Sequence, residues 1–321
     1  MTLIAWLIYI PLQIIWLPFS ILGGLWLTHK QTGRSAALGL SQTAIEVING
    51  RWAGHVFGLR KDVASCRLAG KLPNNSLLGL RVALFPLMVA RSIAGKPILY
   101  PLLPDDAKSG LVNVVLSRSV RFDDLIASHA SSAAQLVVLG AGLDTRAYGP
   151  LAGTKMTMFE LDKSATQLSK REALKRAKLK SDHVNFVAVD FSDANWIAAL
   201  TASAYDPSLK TIFLWEGVTL YLTEAEVRDT LAAIKANTAP GSVVAMDLYG
   251  KRFLEVGKKG VAAKALEVTG ERFQFGLDFA ADPEAVLSAF VASTGYRLGQ
   301  HFFLGSSHKS GPYMVVAELG L

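Results

Sequence analysis

The chain has 321 residues, 51% of them apolar, one cysteine, and a formal charge of +7 from 33 basic and 26 acidic side chains. That length holds one large α/β domain with an extension, or two small domains. A single cysteine, Cys66, excludes an internal disulfide and fits a reducing compartment. The positive balance suits a solvated basic surface or one drawn to an anionic membrane face. No nucleic-acid-binding motif and no zinc-like Cys/His spacing accompanies it, so neither nucleic acid nor a metal is expected as a partner.

The apolar excess is concentrated near the start. Residues 3–27, LIAWLIYIPLQIIWLPFSILGGLWL, carry no charge. The run exceeds the roughly 20 residues that a spanning helix needs. Trp6, Trp16 and Trp26 are of the type that favours a membrane interface. His29, Lys30 and Arg34 come after the run, whereas a cleavable signal peptide has its basic residues in front. Pro11 and Pro18 argue against one straight helix, although membrane helices tolerate proline. Residues 1–30 are therefore expected to be a hydrophobic membrane anchor, with a buried helical cap as the alternative. Lys30 and Arg34 would leave the remainder of the chain on the cytoplasmic side. A second apolar stretch, LLGLRVALFPLMVA at 77–90, is too short to span comfortably. It reads as a lid or as an interfacial helix on a membrane, or equally as a core helix. Residues 31–115 as a whole are expected to form a helical cap beside the acceptor.

The third region, 116–321, opens with LSRSVRFDDLI, in which Arg118 and Arg121 come just before the helix that leads into the first strand. A guanidinium there can hold a carboxylate through two hydrogen bonds; ion pairs with Asp123 and Asp124 would account for the same residues. From Gln135 short apolar runs alternate with charged, helix-like segments. The runs are QLVVLG (135–140), KMTMFEL (155–161), VNFVAVD (184–190), TIFLWEG (211–217), SVVAMDLY (242–249), RLGQHFF (297–303) and YMVVAEL (313–319). Apolar strands separated by helices predict a parallel sheet covered on both faces. The last two runs are separated only by LGSSHKSGP, too short for a parallel crossover, so they are expected to be antiparallel.

The strand ends carry the chemistry. Gly140-Ala141-Gly142 lets the backbone turn sharply and approach a ligand. A dinucleotide fingerprint wants a third glycine where Thr145 stands. Asp144 beside it would repel a pyrophosphate and suits a cationic amine or sulfonium. Glu160 and Asp162 end the second strand, about 20 positions after the glycine loop, where an acid commonly meets ribose hydroxyls. Period-two alternation puts both on one face, so spacing does not choose between them. Asp190 and Phe191 end the third strand, where an adenine could meet a carboxylate and a ring; capping of the next helix by Asp190 or Ser192 is the competing role. Glu216 ends the fourth, facing the same cleft as Asp144, and two carboxylates at one site favour a cation. Thr223 reads as the N-cap of the following helix.

In order and spacing, LVVLGAGLDTRAYG, MFELDKSATQLSKREAL, VAVDFSDANW and IFLWEGVTLYLTEAEV resemble the leucine carboxyl methyltransferase-like family. The resemblance runs from about Arg118 to the C-terminus. It implies a Rossmann-like class I methyltransferase fold: a seven-stranded, mostly parallel sheet with a C-terminal antiparallel hairpin. It also implies S-adenosyl-L-methionine as cofactor and O-methylation of a carboxylate or a small-molecule hydroxyl. By position, Arg118 matches the arginine that holds the cofactor's carboxylate, and Gly140 lies in the cofactor loop. Glu160 and Asp162 match the acidic motif after the second strand. Asp190 and Phe191 match the adenine contacts, and Glu216 the acid after the fourth strand. The front departs from the family: SAALGLSQTAIEVINGRWAG (35–54) keeps a trace of the usual soluble segment, flanked by the two apolar stretches. Apolar flanks point to a lipophilic acceptor. No catalytic base stands out from His55, His129 and Tyr221. The competing readings are a nicotinamide-dependent oxidoreductase, disfavoured by Thr145, and a catalytically inactive, membrane-tethered cofactor-binding protein.

Overall fold

The computed structural model describes residues 1–38, 42–191, 193, 195–257 and 272–321. Seven strands form one sheet: β1 (Gln135–Leu139), β2 (Thr157–Asp162), β3 (Val184–Ala188), β4 (Thr211–Trp215), β5 (Val243–Tyr249), β6 (Arg297–Leu304) and β7 (Met314–Gly320). Their order is β3-β2-β1-β4-β5-β7-β6. The first five run parallel, and β7 is antiparallel to both β5 and β6. This is the class I methyltransferase strand plan that the family resemblance implies.

Burial explains why these runs become strands. β1, β4 and β5 are buried along their whole length, as parallel strands covered on both faces must be. Side chains alternate between two cores. Val137, Leu139, Phe213 and Trp215 enter one core; Leu136, Val138, Ile212 and Leu214 enter the other. The strand order reverses between β1 and β4, and that switch point opens a cleft at the strands' carboxyl ends.

Among the described residues, five α-helices precede the sheet: α1 (Thr2–Leu38), α2 (Gln42–Val56), α3 (Val63–Ala69), α4 (Leu77–Ala94) and α5 (Val114–His129). Among the described residues, five more follow β1: α6 (Ser164–Arg176), α7 (Trp196–Thr201), α8 (Glu224–Ala236), α9 (Lys251–Gly257) and α10 (Pro283–Ser293). Thr223 and Glu226 complete a capping box at the start of α8, as the sequence predicts. α1 is one continuous helix despite Pro11 and Pro18, and it runs through the expected boundary at residue 30. The second apolar stretch forms α4, started by Ser76, whose side chain accepts from Gly79 N, and stopped by left-handed Gly95. α1 over Thr2–Ser35 and α4 are each long and apolar enough to cross a membrane. α4 packs on α2 through Leu87, Trp52, Ala53 and Phe57. α1 lies antiparallel along α4, with Trp16 Nε1 donating to Val82 O at 2.9 Å.

Candidate active site

The loop after β1 turns left-handed at Gly140 (φ 63°) and again at Gly142 (φ 43°). A Cβ on Gly140 would stand 2.5 Å from Val218 Cγ2, so only glycine fits there. The turn aims Gly142 N at the Asp162 carboxylate, 2.6 Å away, and Lys163 N donates to the same group at 2.7 Å. A cavity of about 780 Å³ opens over these strand ends. Its walls include Gly140, Ala141, Gly142, Asp144, Asp162, Asp190, Phe191 and Glu216, together with Arg118 from α5.

The structure separates the two acids of β2. Asp162 lines the cavity, and its burial raises its pKa although Gly142 N and Lys163 N oppose the shift. Glu160 does not line it. The side chain is sealed beneath α6, where Lys170 Nζ donates to it at 2.6 Å. Burial pushes the Glu160 carboxyl up despite that ammonium. Both side chains share a strand face, but α6 covers one and the open strand end leaves the other free to meet a ligand.

Asp190 is half-exposed at the cavity rim, 3.1 Å from Lys163 Nζ. Phe191 packs against Trp196, with ring centroids 5.3 Å apart. Ser192, named above as a competing helix cap, lies outside the described residues.

Asp144 and Glu216 do meet in the cleft, but in a different electrostatic setting from the one expected. Arg51 Nη2, from α2, donates to both carboxylates at 2.9 Å. Arg146 Nη1 also donates to both, at 2.6 Å for Glu216. Arg118 Nε approaches Glu216 at 3.3 Å. Burial alone would raise both acids. The Arg146 and Arg51 guanidiniums overcome that and hold both carboxyls well below the usual range. The two acids are thus neutralised by arginines and present no net negative pair to a cation. Arg51 still has Nε and Nη1 buried without a protein partner among the described residues. That unmatched donor edge belongs to a cavity-lining side chain and suits an incoming carboxylate.

Arg118 is held by more protein partners than a ligand clamp would need. Its Nη1 donates to Tyr249 Oη at 2.6 Å and lies 3.4 Å from Asp247. Asp247 also accepts from Gly217 N at 2.9 Å. Burial pushes the Asp247 carboxyl up to about 7, the Arg118 guanidinium opposing and Glu216 reinforcing the shift. Asp123 pairs with Arg60 and Arg146 rather than with Arg118 or Arg121, while Arg121 holds Asp124 at 2.9 Å.

Sequence reasoning missed Arg51. Its signal was a lone arginine among small and apolar residues in QTAIEVINGRWAG, but its carboxylate partners lie 93 and 165 positions away. The histidines weighed as bases are not among the cavity walls: His55 Nδ1 accepts from Asp62 N, and His129 lies beside Glu318. Tyr221 does line the cavity, with its hydroxyl donating to Thr43 Oγ1 at 2.9 Å. Tyr221, Phe253 and Phe273 form an aromatic wall next to it, with centroids 5.6 and 5.8 Å apart in sequence of contact.

Strand order, the glycine turn at β1 and the acid at the end of β2 define a class I methyltransferase-type fold with its ligand cleft at the switch point. Residues 102–235 match the family described as leucine carboxyl methyltransferase, so this stretch carries that family's signature, as the sequence motifs imply. A Streptomyces avermitilis protein named "Putative S-adenosyl-L-methionine-dependent methyltransferase/SAV474" is 35% identical over 163 residues, 48% of this chain and 57% of its own. A Streptomyces coelicolor protein of the same designation is 34% identical over 184 residues, 54% of this chain and 64% of its own. The chain thus spans less than two thirds of the length of these relatives. An O-methyltransferase family protein from Burkholderia thailandensis is 13% identical with a TM-score of 0.43, covering 63% of this chain and 55% of that one. The fold assignment rests on the strand order and not on that likeness.

Proposed function

We propose that the chain binds S-adenosyl-L-methionine in the 780 Å³ cavity and transfers its methyl group to an oxygen of a small, lipophilic acid or alcohol. The observation that carries this reading is one cavity lined by two differently built groups of residues. One group is the glycine turn, Asp162, Asp190 and Phe191; the other is the aromatic set Tyr221, Phe253 and Phe273. The first group fits a nucleoside. Asp162 can accept from both hydroxyls of a ribose, Phe191 offers an apolar face to a base, and Gly140 leaves room that a Cβ would fill. The amino-acid end would meet Arg118 and the free edge of Arg51.

When bound, the cofactor supplies a methyl group on a sulfonium, already joined to its leaving group. The chain's own residues then contribute alignment and exclusion of water. Asp162 and the 140–142 backbone would hold the nucleoside, and the two arginines would hold the amino-acid end. The aromatic wall would hold an apolar acceptor. An acceptor carboxylate is ionised near pH 7 and needs no base. Tyr221 is the cavity-lining group nearest in type to a proton carrier for a hydroxyl acceptor, and it already donates to Thr43.

The same reading places the protein at a membrane through α1 and α4, with its catalytic domain on the cytoplasmic side. Calorimetry with S-adenosylhomocysteine and with NAD tests the cofactor: binding of NAD alone would overturn the reading. A screen of lipophilic acids and phenols in detergent with labelled cofactor tests the acceptor. Methylation of polar, water-soluble compounds only would refute the lipophilic part. Good cofactor binding with no transfer to any acceptor would favour an inactive binding protein. Deleting residues 1–30 should release the protein from membranes if α1 is the main anchor; a truncated protein that still pellets with them would be held by residues 77–90 or by the basic surface instead.

A further inference from the structure

α4 cannot cross a bilayer in this fold, because the catalytic domain grips both of its ends. At the front, Asn75 exchanges hydrogen bonds with Asn49 of α2 at 2.8 and 3.1 Å, and Ser76 caps the helix. At the back, Arg91 Nε reaches Phe57 O at 3.4 Å, and a Cβ on Gly58 would stand 2.8 Å from Arg91 Nη2. Just beyond Gly58, Arg60 ion-pairs with Asp62 and Asp123. A crossing α4 would drag this charged cluster into hydrocarbon.

α1 follows α4 in the opposite direction and returns to the same side. Ser35, near its end, accepts from Asn74 at 2.9 Å. Gly23 and Gly79 meet backbone to backbone: a Cβ on either would lie 2.7 or 2.8 Å from the other's carbonyl oxygen. Such glycine contacts are typical of helices packed in lipid. Tyr9, towards the beginning of α1, joins the cluster of Trp52, Phe57 and Leu87.

The remainder of α1 is bare. Leu3, Leu7, Ile14, Ile15, Leu22 and Leu25 are each more than 60% exposed. At 100° per residue the exposed apolar positions span roughly 200° of the helix circumference. A flat protein partner covers one stripe of about 100°; a bilayer can cover the whole arc. The run holds no charge, and the basic residues His29, Lys30 and Arg34 gather where α1 rejoins the domain, as an anionic lipid surface would favour.

We infer that α1 and α4 form an in-plane ridge sunk into one leaflet, with α4 between α1 and the domain, so that the N-terminus and the catalytic domain lie on the same side. This rests on the membrane reading given above.

The test uses the full chain made in a cell-free reaction with sealed vesicles of phosphatidylcholine and phosphatidylglycerol. In a Cys66→Ser background, Thr2→Cys reports the N-terminus and Ser131→Cys, exposed on the domain, reports the catalytic side. A membrane-impermeant maleimide should label both to the same extent without detergent. Labelling of Thr2→Cys that appears only after detergent, with Ser131→Cys labelled throughout, would overturn the in-plane arrangement while leaving membrane binding intact. A chain that does not float with the vesicles would refute the membrane reading itself. A lipid-free dimer that protects Thr2→Cys would assign the ridge to a second copy instead.

Discussion

Arg51 offers the sharpest test of how the cavity works. Replacing it by Met keeps most of the side chain's length and removes both the two carboxylate contacts at 2.9 Å and the unpartnered Nε and Nη1. Asp144 and Glu216 keep Arg146, and Glu216 keeps Arg118, so the acids stay ionised and paired. Removing one cation from a buried cluster costs stability on the order of 3 kcal/mol. A hydrogen bond to a charged group contributes about 2 kcal/mol, which is about 30-fold in affinity. Arg51→Met should therefore weaken S-adenosylhomocysteine by about 30-fold in calorimetry run well below the variant's melting temperature. Methylthioadenosine has the same nucleoside and thioether but no amino-acid end, so its affinity should change little. An equal loss for both ligands would mean that the variant distorts the nucleoside end. No loss for S-adenosylhomocysteine would mean that the free edge of Arg51 meets nothing. Either result refutes the assignment.

Asp162→Ala should weaken S-adenosylhomocysteine and methylthioadenosine by similar factors, on the order of 10-fold to 100-fold, because both carry the ribose; a selective effect on one of them would contradict this. Gly140→Ala should cost about 1–3 kcal/mol in urea melts, from its positive φ and the 2.5 Å approach to Val218, and Val218→Ala should restore part of it. If Val218→Ala restores nothing, the backbone conformation carries the whole cost. Asp247 keeps its proton to about 7 in the fold, against an ordinary value of 3.8. Its contribution to stability is full below about pH 4 and is lost as pH rises through about 7, because the native state holds a proton that the unfolded chain has released. Asp247→Asn should therefore gain stability relative to the parent chain between pH 5 and 8, by a few kcal/mol at most. Parallel urea midpoints across that range would show that Asp247 is already ionised at pH 5.

Much of the sheet is readable in the sequence because each strand is a short apolar run bounded by charge or glycine. TIFLW at 211–215 has no other stable use than a doubly covered strand, and β4 occupies those residues. The nine-residue gap between the last two runs fixes their antiparallel pairing, which β6 and β7 adopt. The site is legible only where one strand end supplies it. Glu160 and Asp162 look equivalent by spacing, and what separates them is Lys170 on α6, whose position depends on how that helix packs. Arg51 is out of reach for a different reason: its meaning lies in two carboxylates from other strand ends, and no local pattern carries contacts over such separations. The front boundary also depends on packing. Charge at Lys30 suggests an end to the apolar segment, yet α1 continues to Leu38 because Ser35 is buried and Arg34 donates to Pro73 O at 3.2 Å.

The arginine cluster also constrains how ligands reach the cavity. Lifting α2 away from the sheet would strip Arg51 from two buried carboxylates, Asp144 and Glu216, a cost that favours keeping α2 and the 140–146 loop together. Ligands must then enter through openings that leave α2 in place. One rim carries the exposed, oppositely charged Lys163 and Asp190, 3.1 Å apart, which suits a water-soluble zwitterion. At another point Ser35, Leu72 and Asn74 line the wall where α1 ends and α4 is about to begin. If the two apolar helices rest in a leaflet, this second point lies at the foot of the lipid-facing ridge, and an amphiphilic acceptor would arrive there with its oxygen leading. The two routes predict a kinetic signature: adding vesicles should lower the acceptor's KM while leaving the affinity for S-adenosylhomocysteine unchanged. A KM indifferent to vesicles, for an acceptor that partitions into them, would separate the ridge from catalysis.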